Sequence, residues 1–394
     1  MKRRSLLAAT AALSAHTLLS ACAQPGLATD ALQVLLLANA FPPQLLRIFR
    51  KELTSLQDCE FSSQDQLSDI YAQLQKWGQA PVKSTRWRIR NPLRRTVVPT
   101  GAADLVSLGD YWLASAIEQN LIQPFPSAQP KNWPVSSRWI NLVKRDRQGI
   151  PAAGGEIWGV PYRWGTLMMV YRDRPFESLG WQPQTWQDLW RPELRGKISL
   201  PDHPRIVLGL ILKQLEQSSS STSLMPLLPK LAEQLQSLHR QVKFYSSDHA
   251  LQALVSSDTW LAVGWSTDIL PVMQQYHQLQ AVIPKSGTLL TADLWVRPSA
   301  DAAQSTPAPL LDLAQQWLDF CWRPEIALQI SLSGGGASPR FADESTATLP
   351  VLLRDRPLLV PGADVFAKSE FLQPLPTESA QAIASLWDDV RQSG

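Results

Sequence analysis

Residues that could act as nucleophiles, general bases or metal ligands do not stand at the spacing of a known catalytic motif in this sequence, and histidine and cysteine are scarce. The nearest approach to a G-x-S-x-G nucleophile elbow is Gly264-Trp265-Ser266-Thr267-Asp268, which lacks the second glycine. The five histidines form no H-E-x-x-H or comparable metal-binding spacing, and neither G-x-G-x-x-G nor a P-loop occurs. We therefore expect no enzyme activity, no metal and no cofactor. A hydrolase is the rival hypothesis from another functional class.

Cys22 could undergo a different chemistry, the attachment of lipid. Three basic residues at positions 2 to 4 precede an apolar run over 6–19 that ends in small residues, which is the pattern of an export signal. The run is shorter than the roughly 20 apolar residues that span a bilayer. It leads into Leu19-Ser20-Ala21-Cys22, which is similar to a bacterial lipobox. We predict a signal peptide over 1–21 and a periplasmic protein anchored to a membrane by a lipidated Cys22.

Two alternatives to this interpretation stay open. One is an ordinary cleaved signal peptide with an incidental cysteine. The other concerns the export route, because the pair Arg3-Arg4 fits both a general secretion signal and a twin-arginine signal. Beyond Cys22 only Cys59 and Cys321 remain, and they could either form a disulfide or stay as buried free thiols.

The net charge of +3 comes from the signal segment. This segment contains three basic and no acidic residues, so 34 basic side chains face 34 acidic ones in the rest of the chain. Such a balance does not indicate a nucleic-acid-binding protein. The basic cluster over 83–95 is typical of a solvated loop, with an anion-binding surface as its alternative. A length of 394 residues indicates about two domains. The 16 tryptophans argue against a disordered chain.

Buried strands alternate with amphipathic helices along the chain. The apolar run over 32–37 predicts a strand, and Pro42-Pro43 introduces a helix with apolar residues at helical spacing. Similar strand and helix pairs are predicted at 103–107 with 111–120 and at 197–200 with 205–214, and a last helix at 380–390. The serine run over 218–223 is interpreted as an exposed connection. This alternation predicts an α/β fold with a mainly parallel sheet.

Several motifs from Ile157 onward resemble, in type and in order, those of bacterial periplasmic solute-binding proteins of the spermidine/putrescine (polyamine) ABC transporter group. The resemblance extends from about residue 32 to 340. Its motifs are Ile157-Trp158-Gly159-Val160-Pro161-Tyr162-Arg163-Trp164-Gly165, the segment 186–202 ending in Leu200-Pro201-Asp202, Gly264-Trp265-Ser266-Thr267-Asp268, Ile283-Pro284-Lys285-Ser286-Gly287 with Asp293, and Trp317-Leu318-Asp319-Phe320 before Arg323-Pro324-Glu325.

The resemblance implies a periplasmic binding protein-like fold, two α/β lobes joined by two crossing segments with a ligand cleft between them. We expect a linker over 22–31, a first lobe over 32–158 plus 266–309, and a second lobe over 159–265 plus 310–394. Binding would proceed by capture of a solute in the open form and closure of the lobes around it. The implied partners are the small solute, an ABC permease and the membrane lipid, and we expect a monomer.

The resemblance also implies which residues contact the solute. A polyamine needs aromatic faces for its methylene chain and carboxylates for its ammonium groups. The candidates are Trp265, Asp268, Tyr111 and Trp164, with Phe41 as a replacement for a missing aromatic wall and Asp293 as a further acid.

This chain departs from the polyamine-binding pattern at several positions. His203-Pro204-Arg205-Ile206 stands where the family's polyamine binders carry an acid pair, and Thr291 replaces an aromatic residue. A polyamine binder is therefore expected by family alone. The alternatives are a binder of a different small solute, and an interaction lipoprotein that kept the fold and lost polyamine binding.

Overall fold

The computed structural model describes residues 31–54, 58–79, 102–126, 133, 137–221, 223–299, 308–342, 344–345 and 347–392. The predicted signal peptide, Cys22, the linker up to residue 30 and the basic cluster over 83–95 lie outside these residues. Within the described ranges no helix combines the length and the apolar character that crossing a bilayer requires.

Strands and helices alternate through most of the described chain, as predicted. The strands are β1 Leu32–Leu37, β2 Cys59–Gln64, β3 Leu105–Gly109, β4 Ile122–Gln123, β5 Lys144–Arg145, β6 Glu156–Ile157, β7 Val160–Arg172, β8 Ile198–Leu200, β9 Val242–Tyr245, β10 Leu261–Trp265, β11 Leu279–Val282, β12 Leu289–Pro298 and β13 Glu370–Phe371. The α-helices are α1 Pro43–Glu52, α2 Leu67–Gln79, α3 Leu113–Glu118, α4 Ser137–Val143, α5 Asp173–Leu179, α6 Pro204–Gln214, α7 Leu228–His239, α8 Ala250–Val255, α9 Ser266–Gln275, α10 Ala308–Cys321, α11 Pro324–Ser333, α12 Val351–Arg354, α13 Ala363–Ala367 and α14 Thr377–Gln392. Short 3₁₀ turns lie at Asp110–Trp112, Trp186–Trp190, Pro192–Leu194, Met225–Leu227 and Pro339–Phe341.

The predicted strand and helix pairs are confirmed. The apolar run at 32–37 forms β1, whose residues are mostly buried, and Pro43 begins α1 at a position where its missing N–H costs no hydrogen bond. The pair at 197–214 becomes β8 and α6, and the last predicted helix is α14. The second pair differs in detail, because a 3₁₀ turn at 110–112 separates β3 from α3.

The strands form two sheet regions that share the long strand β7. The order is β2-β1-β3-β12-β7 on one side and β7-β10-β8-β9 on the other. Strands β1, β2 and β3 pair in parallel, as do β8, β9 and β10, whereas β12 and β10 are antiparallel to β7. The predicted parallel pairing therefore holds for β2-β1-β3 and for β10-β8-β9, whereas the long strands β7 and β12 are antiparallel to each other and to β10 and β3, respectively, so the sheet as a whole is mixed.

Each sheet region has its own hydrophobic core. The first core includes β1, β3 and the first part of β7, and the second core includes β8, α6, α7 and α14. A smaller cluster of β7, α8, β10 and α9 residues adjoins the second core on the same sheet region. These two bodies are the two α/β lobes that the resemblance implied.

The division of the chain between the lobes differs from the predicted boundaries. Apolar residues from Leu310 to Phe371 pack in the first core, although this stretch was assigned to the second lobe. The reason is an aromatic cluster in which Trp317 of α10 lies 4.9 to 5.1 Å from the rings of Phe41, Phe49 and Phe61. The opposite correction applies to part of α9, because Ile269 and Val272 pack in the cluster beside β10, whereas Leu270 packs against the first core.

Strands β7 and β12 connect the lobes. Residues 160–166 of β7 pair with β12, and residues 167–172 pair with β10 and β11. Strand β12 begins at Leu289 in the second core and continues at Leu290 in the first. A third passage of the chain, between Phe371 and Thr377, leads to α14 in the second lobe.

Gly165 stands where β7 passes from one lobe to the other. A Cβ atom at this position would lie 2.6 Å from Oγ of Ser266, so only glycine allows the first residue of α9 to approach the strand. The same Oγ accepts a hydrogen bond from the backbone N–H of Thr166 at 3.1 Å. This contact fixes the start of α9 to the crossing strand.

Both remaining cysteines are free and buried in the first core. Burial raises the pKa of the Cys59 and Cys321 thiols, so both are protonated at neutral pH. Of the two alternatives for these residues, free thiols are the correct one.

Candidate functional site

The carboxyl ends of strands from the two lobes face each other at the junction. Strand β3 is antiparallel to β12, β12 to β7, and β7 to β10, so β3 and β10 run in opposite directions. Strand β8 is parallel to β10. Residues that follow β3 therefore oppose residues that follow β8 and β10, which is where open α/β sheets place their ligands. We refer to this opposed region, formed by residues 109–112, 200–206 and 265–268, as the cleft.

Tyr111 and His203 meet across this cleft. Tyr111 follows β3 in the first lobe and is 54% exposed, and its ring lies 4.6 Å from the imidazole of His203 in an edge-on arrangement. His203 precedes α6 in the second lobe and is half-buried. The predicted site residue Tyr111 thus stands at the lobe interface with most of its ring accessible.

Asp268 and Trp265 occupy the second-lobe side of the cleft at the end of β10. Trp265 caps α9 and is half-buried against the second core, and Asp268 lies in the first helical turn with its side chain exposed. Although Asp268 is open to solvent, the protein surrounding it raises its pKa by desolvation, which the nearby Arg163 opposes and Asp293 reinforces. A carboxylate that is accessible and yet enclosed by protein is characteristic of a concave site.

Asp293 is an acid of the first lobe whose charge is already compensated. It is 4% exposed, and its Oδ2 lies 2.6 Å from Nε of Arg163 on the adjacent strand β7. Arg163 also donates from Nη1 to the carbonyl of Gly334 at 2.7 Å. Burial, the largest single effect, lowers the pKa of Arg163, but the charge and hydrogen bond of Asp293 together with Tyr162 and Asp268 outweigh it and raise that pKa. Asp293 is therefore a buried ion-pair partner and not an acid directed at a ligand.

Asp110 is an acid near the cleft that sequence reasoning missed. It directly follows β3 and precedes Tyr111, and it accepts hydrogen bonds from Thr291 Oγ1 at 2.9 Å and from the N–H of Ala292 at 3.0 Å. Desolvation raises the pKa of Asp110 to about 6, despite these two hydrogen bonds. The signal that could have identified it is its position at the end of a buried strand. Thr291, counted above as a lost aromatic residue, orients this carboxyl group.

The two remaining candidates, Trp164 and Phe41, are core residues and not cleft walls. Trp164 is 1% exposed, lies 5.0 Å from the ring of Phe366, and donates from Nε1 to the carbonyl of Ser338 at 3.3 Å. Phe41 is 6% exposed and lies 5.7 Å from Tyr162. Neither side chain presents a free face, because both belong to the dense aromatic packing of the first core.

Two cavities lie away from the cleft. One of about 380 Å³ is lined by Arg172, Pro175 and Trp260, and one of about 540 Å³ lies beside Leu270 and Met273. The latter two residues are on the face of α9 opposite to Asp268. In the described part of the chain no cluster of three or more His, Cys, Asp or Glu side chains could hold a metal ion.

Comparison with known proteins places the chain in a family. The model of the bacterial extracellular solute-binding protein family matches residues 101–369, which is more than half of the chain. The chain belongs to this family. Its members are solute-binding proteins of transport systems and not a family of enzymes.

Curated relatives of this solute-binding protein are similar over most of their length. The spermidine/putrescine-binding periplasmic protein of Escherichia coli is 24% identical over 275 residues, which cover 69% of this chain and 72% of that protein. The putrescine/cadaverine-binding protein of Pseudomonas aeruginosa is 23% identical over 254 residues, which cover 60% and 67%.

Solved structures of the same kind share the fold. The spermidine/putrescine ABC transporter substrate-binding protein PotD from Streptococcus pneumoniae superposes with a TM-score of 0.71 at 20% identity, covering 92% of this chain and 99% of that one. The TpPotD lipoprotein of Treponema pallidum gives 0.60 at 14% identity, covering 92% and 99%. The implied two-lobed binding-protein fold is thereby confirmed for this solute-binding protein.

Proposed function

We propose that this protein is the extracytoplasmic solute-binding component of an ABC importer and that it captures a small amine of the polyamine class in the cleft. The relatives at 22 to 25% identity carry spermidine, putrescine or cadaverine in their names, which supports an amine solute. The observation that carries the proposal is the position of Asp268, an exposed carboxylate surrounded by protein, at a strand end that faces Tyr111 and the other lobe.

Different residues of the cleft would contact different parts of the amine. Asp268 accepts hydrogen bonds from an ammonium group, and charge-assisted hydrogen bonds of this kind are about twice as strong as neutral ones. Tyr111 and Trp265 provide aromatic faces on which methylene groups and cations pack. Asp110 is a second carboxyl group close to Tyr111. Asp293 contributes indirectly, because it holds Arg163 in a fixed position near Asp268.

Closure of the lobes would be the response to binding, and no chemical step is involved. Strands β7 and β12 continue through the junction, so the lobes can rotate about them without breaking either core. A ligand shifts this equilibrium only by its preference for the closed form. The closed complex would then be delivered, as a monomer, to a permease.

The proposal includes a membrane anchor at Cys22, because the preceding sequence is similar to a lipobox. Expression of the full chain in a Gram-negative host, followed by membrane fractionation and mass spectrometry of the N-terminus, tests it. We expect the protein in the membrane fraction with acylated Cys22, and Cys22→Ala in the soluble fraction or retained as the precursor. An unmodified, soluble wild-type protein would overturn the anchor.

Calorimetry and thermal unfolding of the chain from residue 23 onward test solute binding. Putrescine, cadaverine, spermidine and their mono-amine analogues form the panel, with glucose and succinate as controls without an amine. A bound amine at 100 times its Kd stabilises the protein by about 2.7 kcal/mol. If no amine in the panel raises the unfolding temperature at millimolar concentration, the protein does not bind this class. Disappearance of an amine on incubation would instead indicate the rival hypothesis, an enzyme.

A further inference from the structure

His203 presents a hydrogen-bond donor to the cleft, because its tautomer is fixed by α6. The residue is the N-cap of this helix, and its Nδ1 accepts a hydrogen bond from the backbone N–H of Ile206 at 3.3 Å. A ring nitrogen that accepts a hydrogen bond carries no proton, so the proton of the neutral imidazole is on Nε2. Nε2–H is therefore the group that this ring offers beside Tyr111.

The imidazole is neutral, because burial, the largest effect, lowers the pKa of His203. Arg205 lowers this pKa as well, whereas a hydrogen bond to the residue's own backbone and the charge of Asp202 raise it. Asp202 is turned away from the ring, because its Oδ1 lies 2.6 Å from Nη1 of Arg391 on α14. Arg205 donates from Nη2 to the carbonyl of Ser219 at 2.8 Å. The end of β8 thus offers a neutral donor to a ligand.

The rest of the cleft offers acceptors. Asp268 follows β10 and is exposed, and Asp110 immediately precedes Tyr111, whose ring contacts His203. An ammonium group contains only donors, so it is matched by these carboxylates and mismatched by the Nε2–H of His203. Two facing donors would leave both without a partner in a half-buried site. The two parts of the cleft therefore select different chemical groups.

We propose that the solute is asymmetric, with an ammonium group at one end for Asp268 and Asp110 and an oxygen acceptor, a carboxylate or a hydroxyl, at the other end for Nε2–H of His203. This inference rests on the proposed binding of an amine in the cleft and changes the expected solute from a polyamine to an amine with an oxygen acceptor at its other end. A symmetric diamine lacks the acceptor and is the poorer fit.

Three probes that share a four-carbon chain test the inference: putrescine, 4-aminobutanoate and 4-amino-1-butanol. Titration calorimetry at pH 7.5 on the chain from residue 23 onward should give 4-aminobutanoate or 4-amino-1-butanol a Kd about tenfold or more below that of putrescine. The order of these two distinguishes a carboxylate from a hydroxyl acceptor. Tighter binding of putrescine than of both would overturn the inference while leaving the proposed amine-binding function intact. Absence of binding for all three and for spermidine would overturn both.

Two variants of His203 separate its role in recognition from its role as a helix cap. Asparagine and aspartate are both good N-cap residues, so neither change should prevent folding. His203→Asp replaces the donor by a carboxylate, and we expect the order of putrescine and 4-aminobutanoate to reverse. His203→Asn keeps an N–H donor and should retain the wild-type order. If His203→Asp folds with an unchanged unfolding temperature and an unchanged order of affinities, His203 does not contact the solute and the inference is wrong.

Discussion

The carboxylate of Asp293 lies 2.6 Å from Nε of Arg163, and both side chains are almost fully buried between neighbouring strands of the first lobe. The two residues are 130 positions apart in the sequence and belong to the two strands, β7 and β12, that cross between the lobes. Their ion pair therefore connects the crossing segments just beside the cleft. It also compensates the negative charge of Asp293, the acid that the family resemblance suggested as a contact for the ligand.

Removal of Arg163 should destabilise the protein strongly. Arg163→Met leaves the Asp293 carboxylate buried without its counterion, a situation that costs about 3–5 kcal/mol of unfolding free energy. Equilibrium unfolding in urea measures the loss. The matched control is Lys230→Met, which breaks the exposed pair with Glu233 and should change stability by less than about 1 kcal/mol. An effect of Arg163→Met no larger than that of the control would contradict a buried, interdependent pair.

Loss of the Asp268 charge should weaken solute binding without unfolding the protein. Asp268→Asn removes the exposed acceptor of the cleft, and a hydrogen bond to a charged group contributes about 1.5–3 kcal/mol, or roughly a tenfold to hundredfold change in Kd. Stability should change by less than about 1 kcal/mol, because the favourable position of the charge in the first turn of α9 is opposed by the desolvation that raises the pKa of Asp268. Calorimetry with the tightest amine measures the Kd, and Asp388→Asn on the exposed face of α14 is the control. Equal affinity for both variants removes Asp268 from the site.

Elements whose pattern is local could be predicted from the sequence. Strand β1 is a nearly continuous apolar run because it is buried on both faces, and α14 shows its apolar residues at helical spacing. Tyr111 and Asp268 could be proposed because the family resemblance places their motifs at strand ends that face the cleft. The serine run over 218–223 shows the limit of this approach. Polar composition predicts an exposed connection, whereas Ser219 is fully buried and hydrogen-bonded to Glu370 from a distant segment.

Features that depend on contacts between distant segments could not be predicted. Trp164 and Trp265 both stand in motifs of the same family, but Phe366 packs on the first, whereas the second is only half-buried against the other core. The compensation of Asp293 by Arg163 and the return of α10 to the first core likewise arise from packing between segments more than 100 residues apart. Local composition contains no signal for such contacts. The fold class was therefore accessible from the sequence, whereas the division between core residues and site residues was not.

Asp110 should make binding and stability depend on pH near 6. Burial raises its pKa from the ordinary 3.8 to about 6, so between these values the folded protein holds a proton that the unfolded chain releases. The contribution of this group to stability therefore decreases as the pH rises from about 4 to 6, and Asp110→Asn should flatten the profile in that window. An ammonium ligand prefers the ionised carboxylate, so its affinity should fall as the pH decreases below 6.

Proton release on binding provides the measurement for Asp110. Titration calorimetry at pH 5.5 in buffers of different ionisation enthalpy counts the protons that leave the protein when the amine binds. The charged groups that act on Asp110 are Asp293 of β12, which raises its pKa, and Arg145 of β5, which lowers it. We expect the release to be smaller in Asp110→Asn than in wild type, because the substituted side chain has no proton to release. Equal release in both proteins would show that Asp110 does not sense the ligand.

Glu370 should stabilise the third passage between the lobes, and its contribution should disappear in acid. Its carboxylate pairs with Lys213 and accepts hydrogen bonds from Ser218 Oγ at 2.6 Å and from Ser219 N at 2.9 Å. Burial alone would raise the pKa of Glu370, but these hydrogen bonds outweigh it and lower the pKa from 4.5 to about 2. The stabilisation is therefore complete above pH 4.5 and is lost as the pH falls toward 2.

Glu370→Gln tests this contribution, because the amide keeps the shape of the side chain and removes the charge that Lys213 requires. At pH 7 we expect a loss of about 2–3 kcal/mol in urea unfolding, as for other hydrogen bonds to a charged group. The difference from wild type should shrink steadily between pH 4.5 and 2, since the wild-type carboxylate then becomes protonated. Glu233→Gln, which affects an exposed pair with Lys230, should show neither the loss nor this pH dependence. A Glu370→Gln difference that stays constant down to pH 2 would mean that packing, and not the charge of Glu370, holds the passage between β13 and α14.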